Sequence, residues 1–158
     1  MAATKTTTKA SSTNGKSANV WTDEERAAMQ ASVRERKSSS KRSPEEERAE
    51  GEAEVLAKIA DMPAPDRAMG ERIHALVTET APDLVPRTYY GMPAYAKDGK
   101  VICFFKAASK FKVRYATFEF QPDARLDDGD MWPVSFAVAK LTPDVESRIA
   151  ALVRKGSN

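Results

Sequence analysis

The sequence predicts an α+β domain, an antiparallel sheet with helices packed on one face, preceded by a disordered N-terminal tail. Three observations carry this. Apolar residues recur at helical spacing before residue 81 and again after residue 142, whereas residues 87–138 alternate or run together as strands do. Asp98-Gly99 inside that middle stretch is a strong signal for a two-residue hairpin turn. Residues 1–19 hold no large apolar residue after Met1, so they cannot bury enough surface to offset a chain entropy of about 1–2 kcal/mol per residue. Strands bracketed by helices pack as layers, the helices covering the sheet.

Taken in order, residues 1–20 form the expected tail and residues 21–51 a helical extension with its linker. Thr22-Asp23-Glu24-Glu25 reads as a capping box, and Arg34, Arg36 and Lys37 favour the negative end of that first helix. Its apolar face (Ala27, Ala28, Met29, Val33) is thin, which suits loose packing or a partner. Lys37 to Arg42 reads as a flexible link, and Ser43-Pro44-Glu45-Glu46 caps a second helix running to about Asp61. Gly51 within it costs about 1 kcal/mol relative to alanine, so the first half is expected to fray and the packed domain to span residues 52–156. Met69, Ile73, Leu76, Val77 and Thr80 give a third helix from about Pro65, stopped by Ala81-Pro82.

The sheet reading follows. Arg87 to Tyr90 is extended, Gly91-Met92-Pro93 bends the chain, and Ala94 to Lys97 leads into the Asp98-Gly99 turn. Val101 to Phe105 is apolar on both faces, as a central strand covered on both sides or lying under a helix would be. Phe111, Val113 and Tyr115 alternate with Lys112 and Arg114 and predict a half-exposed strand. A polar loop over residues 121–133 precedes a last strand, Val134 to Val138. Thr142-Pro143-Asp144 then caps a final helix that buries Val145, Ile149, Leu152 and Val153.

Composition narrows function mainly by exclusion. The 158 residues are 41% hydrophobic and 30% charged, and no window approaches the roughly 18–20 apolar residues of a membrane helix. One cysteine, Cys103, excludes an internal disulfide and multi-cysteine metal sites; one histidine, His74, excludes multi-histidine sites. Cys103 reads as a small core hydrophobe and His74 lies beside the buried face of its helix, so no nucleophile–base pair is expected and the chain reads as a non-enzyme. The net charge of +2 resides in residues 1–50, leaving the rest neutral. With no apolar core of a secretory signal in the tail, a cytoplasmic location is expected.

Three groups of residues are candidates for binding. Glu45, Glu46 and Glu50 on the early helix, with Asp127, Asp128 and Asp130 in the polar loop, offer oxygen donors suited to hard cations, iron included, without the spacing of a calcium loop. Lys106, Lys110, Lys112 and Arg114 crowd the central hairpin near Tyr115 and Tyr95, a pattern that on a sheet face binds single-stranded nucleic acid or an anionic small molecule. Tyr90-Gly91-Met92-Pro93-Ala94-Tyr95 is the most distinctive string, a sharp bend whose two tyrosines could also line a pocket.

That string, with Asp98-Gly99-Lys100 and the aromatic strand Val101 to Phe105, resembles the YdhG-like domain. The helix containing Ile73-His74-Ala75-Leu76-Val77 before Ala81-Pro82-Asp83 is similar too, as is the helix after Leu141-Thr142-Pro143. The resemblance covers roughly Val55 to Lys155. It departs in the long N-terminal extension and in Met131 to Phe136, where a Gly-Thr-Ile-type run is the commoner pattern. The resemblance implies a frataxin-like sheet-and-helix layer and, from one branch of the family, an intracellular iron chaperone handing iron to an acceptor protein. No residue-level iron motif transfers with it. The alternative is a binding module for nucleic acid or an anionic small ligand, through Tyr90, Tyr95, Lys106, Lys110, Lys112 and Arg114.

Overall fold

The computed structural model describes residues 20–38 and 42–158. The expected disordered tail and the middle of the expected linker lie outside the described residues, except for Val20 at the tail's end. The elements run α1 (Asp23–Ser38), α2 (Pro44–Ala60), α3 (Ala64–Thr80), β1 (Val85–Tyr89), β2 (Met92–Lys97), β3 (Lys100–Lys106), β4 (Ala116–Phe120), β5 (Ser135–Val138) and α4 (Pro143–Gly156). The five strands form one antiparallel sheet in sequence order, so the chain meanders without a crossover.

Local signals set the helix starts. Ser43 caps α2 in a reciprocal capping box with Glu46, followed by Pro44, and the Thr142 hydroxyl accepts from the Val145 N–H at the start of α4. Both β1–β2 and β2–β3 close through two-residue turns, Tyr90-Gly91 and Asp98-Gly99. All four residues have positive φ, as a type I′ hairpin turn requires. The first of these was expected only as a bend.

Register then sorts the side chains. Tyr95 pairs with Cys103, Cys103 with Phe120 and Phe105 with Phe118, so these residues share one face. On that face they pack with Ile73 and Val77 of α3 and Ile149 and Val153 of α4 to make the main core. α2 lies over β1, where Gly51 meets the Pro86 backbone. It is therefore continuous across the expected boundary at residue 52, and Gly51 is a contact point instead of a fraying point. Val55 and Ile59 do the packing, and Leu56 is exposed.

Two expectations need correction. Three helices share one face, but α1 lies on the other, with Ala28 and Ser32 buried. A thin stripe of small residues suffices there because the sheet's second face supplies its own bulk: Met92, Ala94 and Phe104, joined by Tyr89, Tyr90, Val101 and Phe111. The strand expected at Phe111–Tyr115 is instead part of a connection, since Lys112 has a φ of 52° and pairing resumes only at Lys106↔Thr117. The strand is Ala116–Phe120, whose inward Phe118 and Phe120 carry the same alternation a few residues later. Val113 and Tyr115 are left 46% and 40% exposed.

Candidate ligand cleft

α1 and the second face of the sheet border an open cleft of about 470 Å³, within the roughly 300–1,000 Å³ that small-molecule sites occupy. Trp21, Ala28 and Met29 form its roof; Tyr89, Met92 and Phe104 form its floor; Tyr90 and Phe111 close one side. The aromatic rings are ordered against one another. Tyr89 and Tyr90 meet edge to face at 4.6 Å, and Tyr89 tilts over Phe104 at 5.4 Å. Period-two alternation places Tyr89, Met92, Phe104 and Lys106 together, because they stand opposite the main-core set on neighbouring strands.

Charge gathers at the Phe111 end. The Lys106 amine sits 4.8 Å from the centre of the Phe111 ring, and the Lys110 amine lies 5.6 Å from it. Two carboxylates also line the cleft and both already accept hydrogen bonds: Glu25 from the Thr22 N–H at 2.8 Å, and Glu119 from the Ser135 hydroxyl at 2.9 Å. The connection bearing Lys110 and Phe111 is tied to α3 by Asp66, a buried carboxylate that accepts from the Ser109 N–H at 3.1 Å and from the Ser109 hydroxyl.

Lys110 is half-buried and donates to the Tyr90 carbonyl at 3.0 Å. Burial, helped by the nearby Lys58 and opposed by Glu35, pushes its amine down to about 8 from the ordinary 10.5. The unfolded chain therefore binds more protons than the folded one between those two values, and stability contributed at this site rises with pH across that window. Denaturant titrations of wild type and Lys110→Met at about pH 7 and about pH 10 check this. Wild type is expected to gain on the variant at the higher pH, and a gap that does not change with pH contradicts the assignment.

The other expected ligand residues fall elsewhere. Lys112 pairs with Glu24, fastening α1 to the β3–β4 connection, and Arg114 lies 5.1 Å from the Tyr115 ring on the exposed part of that connection. Only Lys106 of the four cations is on a strand, so the four do not share one sheet face. Tyr95 faces the main core, away from the cleft. Its hydroxyl lies 3.1 Å from His74 Nδ1, and His74 Nε2 stands 3.5 Å from Glu52. An Nε2–H facing the carboxylate leaves Nδ1 to accept from the tyrosine. Burial, with Cys103 alongside, holds the Tyr95 hydroxyl protonated, and burial likewise pushes the Cys103 thiol up.

The expected metal donors are dispersed in role. Glu46 is committed to the Ser43 cap and Glu50 pairs with Arg42, while Glu45 stands exposed in the first turn of α2. Asp127, Asp128 and Asp130 are exposed in the β4–β5 loop. Among the described residues no group of three His, Cys, Asp or Glu side chains is placed to hold a metal ion. No helix among them is long and apolar enough to cross a membrane. Sequence reasoning missed Trp21, Met29, Tyr89, Phe104 and Phe111 as cleft residues. Phe104 carried a signal in the doubly apolar strand, which needs a cover on its second face. The chain matches no family model, no curated protein and no solved structure.

Proposed function

We propose that this chain is a binding module for a small planar aromatic carboxylate, seated in the cleft under α1 with its ring against Tyr89 and Phe104 and its charge toward Lys106. The observation that carries this reading is the pairing of an aromatic floor with two lysine amines gathered over Phe111 at one end. A flat apolar body gains from stacking on the rings, and a carboxylate at the Phe111 end answers cations that are partly withdrawn from water.

Calorimetric titration with 2-naphthoate tests this, with the neutral 2-naphthamide as control. Saturable binding of the carboxylate is expected, weakened about tenfold in Lys106→Met, a change of about 1.4 kcal/mol. Equal affinity for the amide overturns the role of charge, and no saturable heat overturns the cleft reading. Tight binding of oligothymidylate, losing roughly 0.7 log units of affinity per log unit of salt for each phosphate contacted, would establish the nucleic-acid reading instead. The iron-carrier reading rests on the YdhG-like resemblance, and among the described residues no donor set is gathered behind it. Saturable anaerobic ferrous binding that disappears on Asp127→Asn, Asp128→Asn and Asp130→Asn together would support it over the aromatic-carboxylate reading.

A further inference from the structure

In a two-residue hairpin turn the N–H groups of the two central residues face outward, with no strand to receive them. At Tyr90-Gly91 both find one acceptor 55 and 56 residues earlier in the chain. The Tyr90 N–H donates to Glu35 Oε2 at 3.1 Å and the Gly91 N–H to Glu35 Oε1 at 2.9 Å. Adjacent amides converging on one anion form a nest, a concavity of fixed positive partial charge. Positive φ at both residues (51° and 74°) creates that concavity. Lys110 packs against Gly91 so closely that a Cβ there would collide with its amine. Beside Glu35 lies a cavity of about 310 Å³ lined by two cations, Arg34 and Lys58, and by one further carboxylate, Glu54, which already accepts from the Thr88 hydroxyl at 3.3 Å, so there is room for an anion there.

We propose that the Tyr90-Gly91 turn, with Lys110, is a carboxylate-binding site that Glu35 of α1 fills in this conformation and that an external carboxylate fills when Glu35 gives way. The match is to a carboxylate because two oxygens on one carbon meet two adjacent amides, one each, as Glu35 does. The site uses backbone donors and needs no ring and no Lys106, so it is distinct from the aromatic cleft, although Tyr90 and Lys110 border both. α1 thereby holds its place with the same chemistry that a ligand would use to displace it.

Glu35→Ala vacates the site while keeping a helix-favouring residue. The variant is expected to melt a few degrees below wild type. Sodium formate at about 100 mM is expected to recover at least half of that loss relative to sodium chloride of equal ionic strength, by mass action on the folded state. Wild type, its site occupied, should not distinguish the two salts. Glu35→Gln, which fills the space and offers one acceptor, is expected to lose stability without recovery, and adding Lys110→Met to Glu35→Ala should diminish the formate effect. Should Glu35→Ala not melt cooperatively, its refolding yield in formate against chloride supplies the same comparison. An identical response of Glu35→Ala to both salts overturns the proposal, as does an equal formate effect in wild type. Formate carries no ring, so its result is separate from that of the naphthoate titration.

Discussion

Gly51→Ala is expected to destabilise the protein by about 3 kcal/mol, the upper part of the range for overpacking, although alanine is the better helix former. A Cβ at residue 51 would fall deep inside the van der Waals contact of the Pro86 carbonyl oxygen, 3.1 Å from its carbon and 3.6 Å from the Arg87 Cα. All three atoms are backbone, so no side-chain rotation relieves the clash. Either α2 lifts from β1 or the edge strand shifts, and with it the Tyr89–Tyr90 end of the cleft floor. Propensity alone predicts a gain of about 1 kcal/mol, so the sign of the change in urea denaturation decides between a helix that frays there and one that docks there. A stability equal to or above wild type would contradict the docking.

Tyr95 carries the second large effect. Its ring is fully buried between β2 and α3, stacked 5.9 Å from His74 at an interplanar angle of 30°. Tyr95→Ala is expected to cost about 3–5 kcal/mol, the range for removing a large core aromatic. Tyr95→Phe isolates the hydroxyl: it leaves His74 Nδ1 without its partner at a position 8% exposed, and about 1–3 kcal/mol is expected from that desolvated acceptor. Chemical denaturation of both variants checks the pair. If Tyr95→Phe matches wild type, the hydroxyl–imidazole contact contributes nothing and His74 is held by packing and by Glu52.

Much of this architecture is legible where local chemistry and tertiary packing agree. Ser43 and Thr142 are caps whose side chains reach only three residues ahead, and Asp98-Gly99 specifies its turn with two residues. Val101–Phe105 is marked by composition alone as a central strand, covered on both sides or lying under a helix. Legibility fails where a distant contact decides. The alternation at Phe111–Tyr115 is as good as that at Ala116–Phe120. Only the pairing of Phe118 with Phe105 and the positive φ at Lys112 choose the second. Gly51 resembles a weak point until Pro86 is placed beside it. α1 reads as poorly amphipathic because it packs through small residues, a tryptophan before its start and a carboxylate that reaches the β1–β2 turn.

The candidate site divides the same way. Lys106, Lys110 and Tyr90 are legible as a basic, aromatic neighbourhood; Lys106 and Tyr90 line the cleft, and Lys110 stands beside Phe111 and Tyr90. Tyr95 shares the string with Tyr90, yet strand alternation and the turn send the two to opposite faces, one to the ligand side and one to His74. Lys112 reads as an anion binder and instead fastens α1 through Glu24. The acidic groups attract attention as metal donors by number, but capping and ion pairing account for Glu46 and Glu50.

The account depends on the face of the sheet under α1 being the one that receives a ligand. Amide NMR of the nitrogen-labelled protein during titration with 2-naphthoate tests that directly. Saturable shifts are expected at Trp21, Met29, Tyr89, Tyr90, Phe104, Lys106 and Phe111, with His74, Tyr95 and the residues of α4 unmoved. Shifts centred on the α3–α4 face, or a spectrum that does not respond, would contradict it.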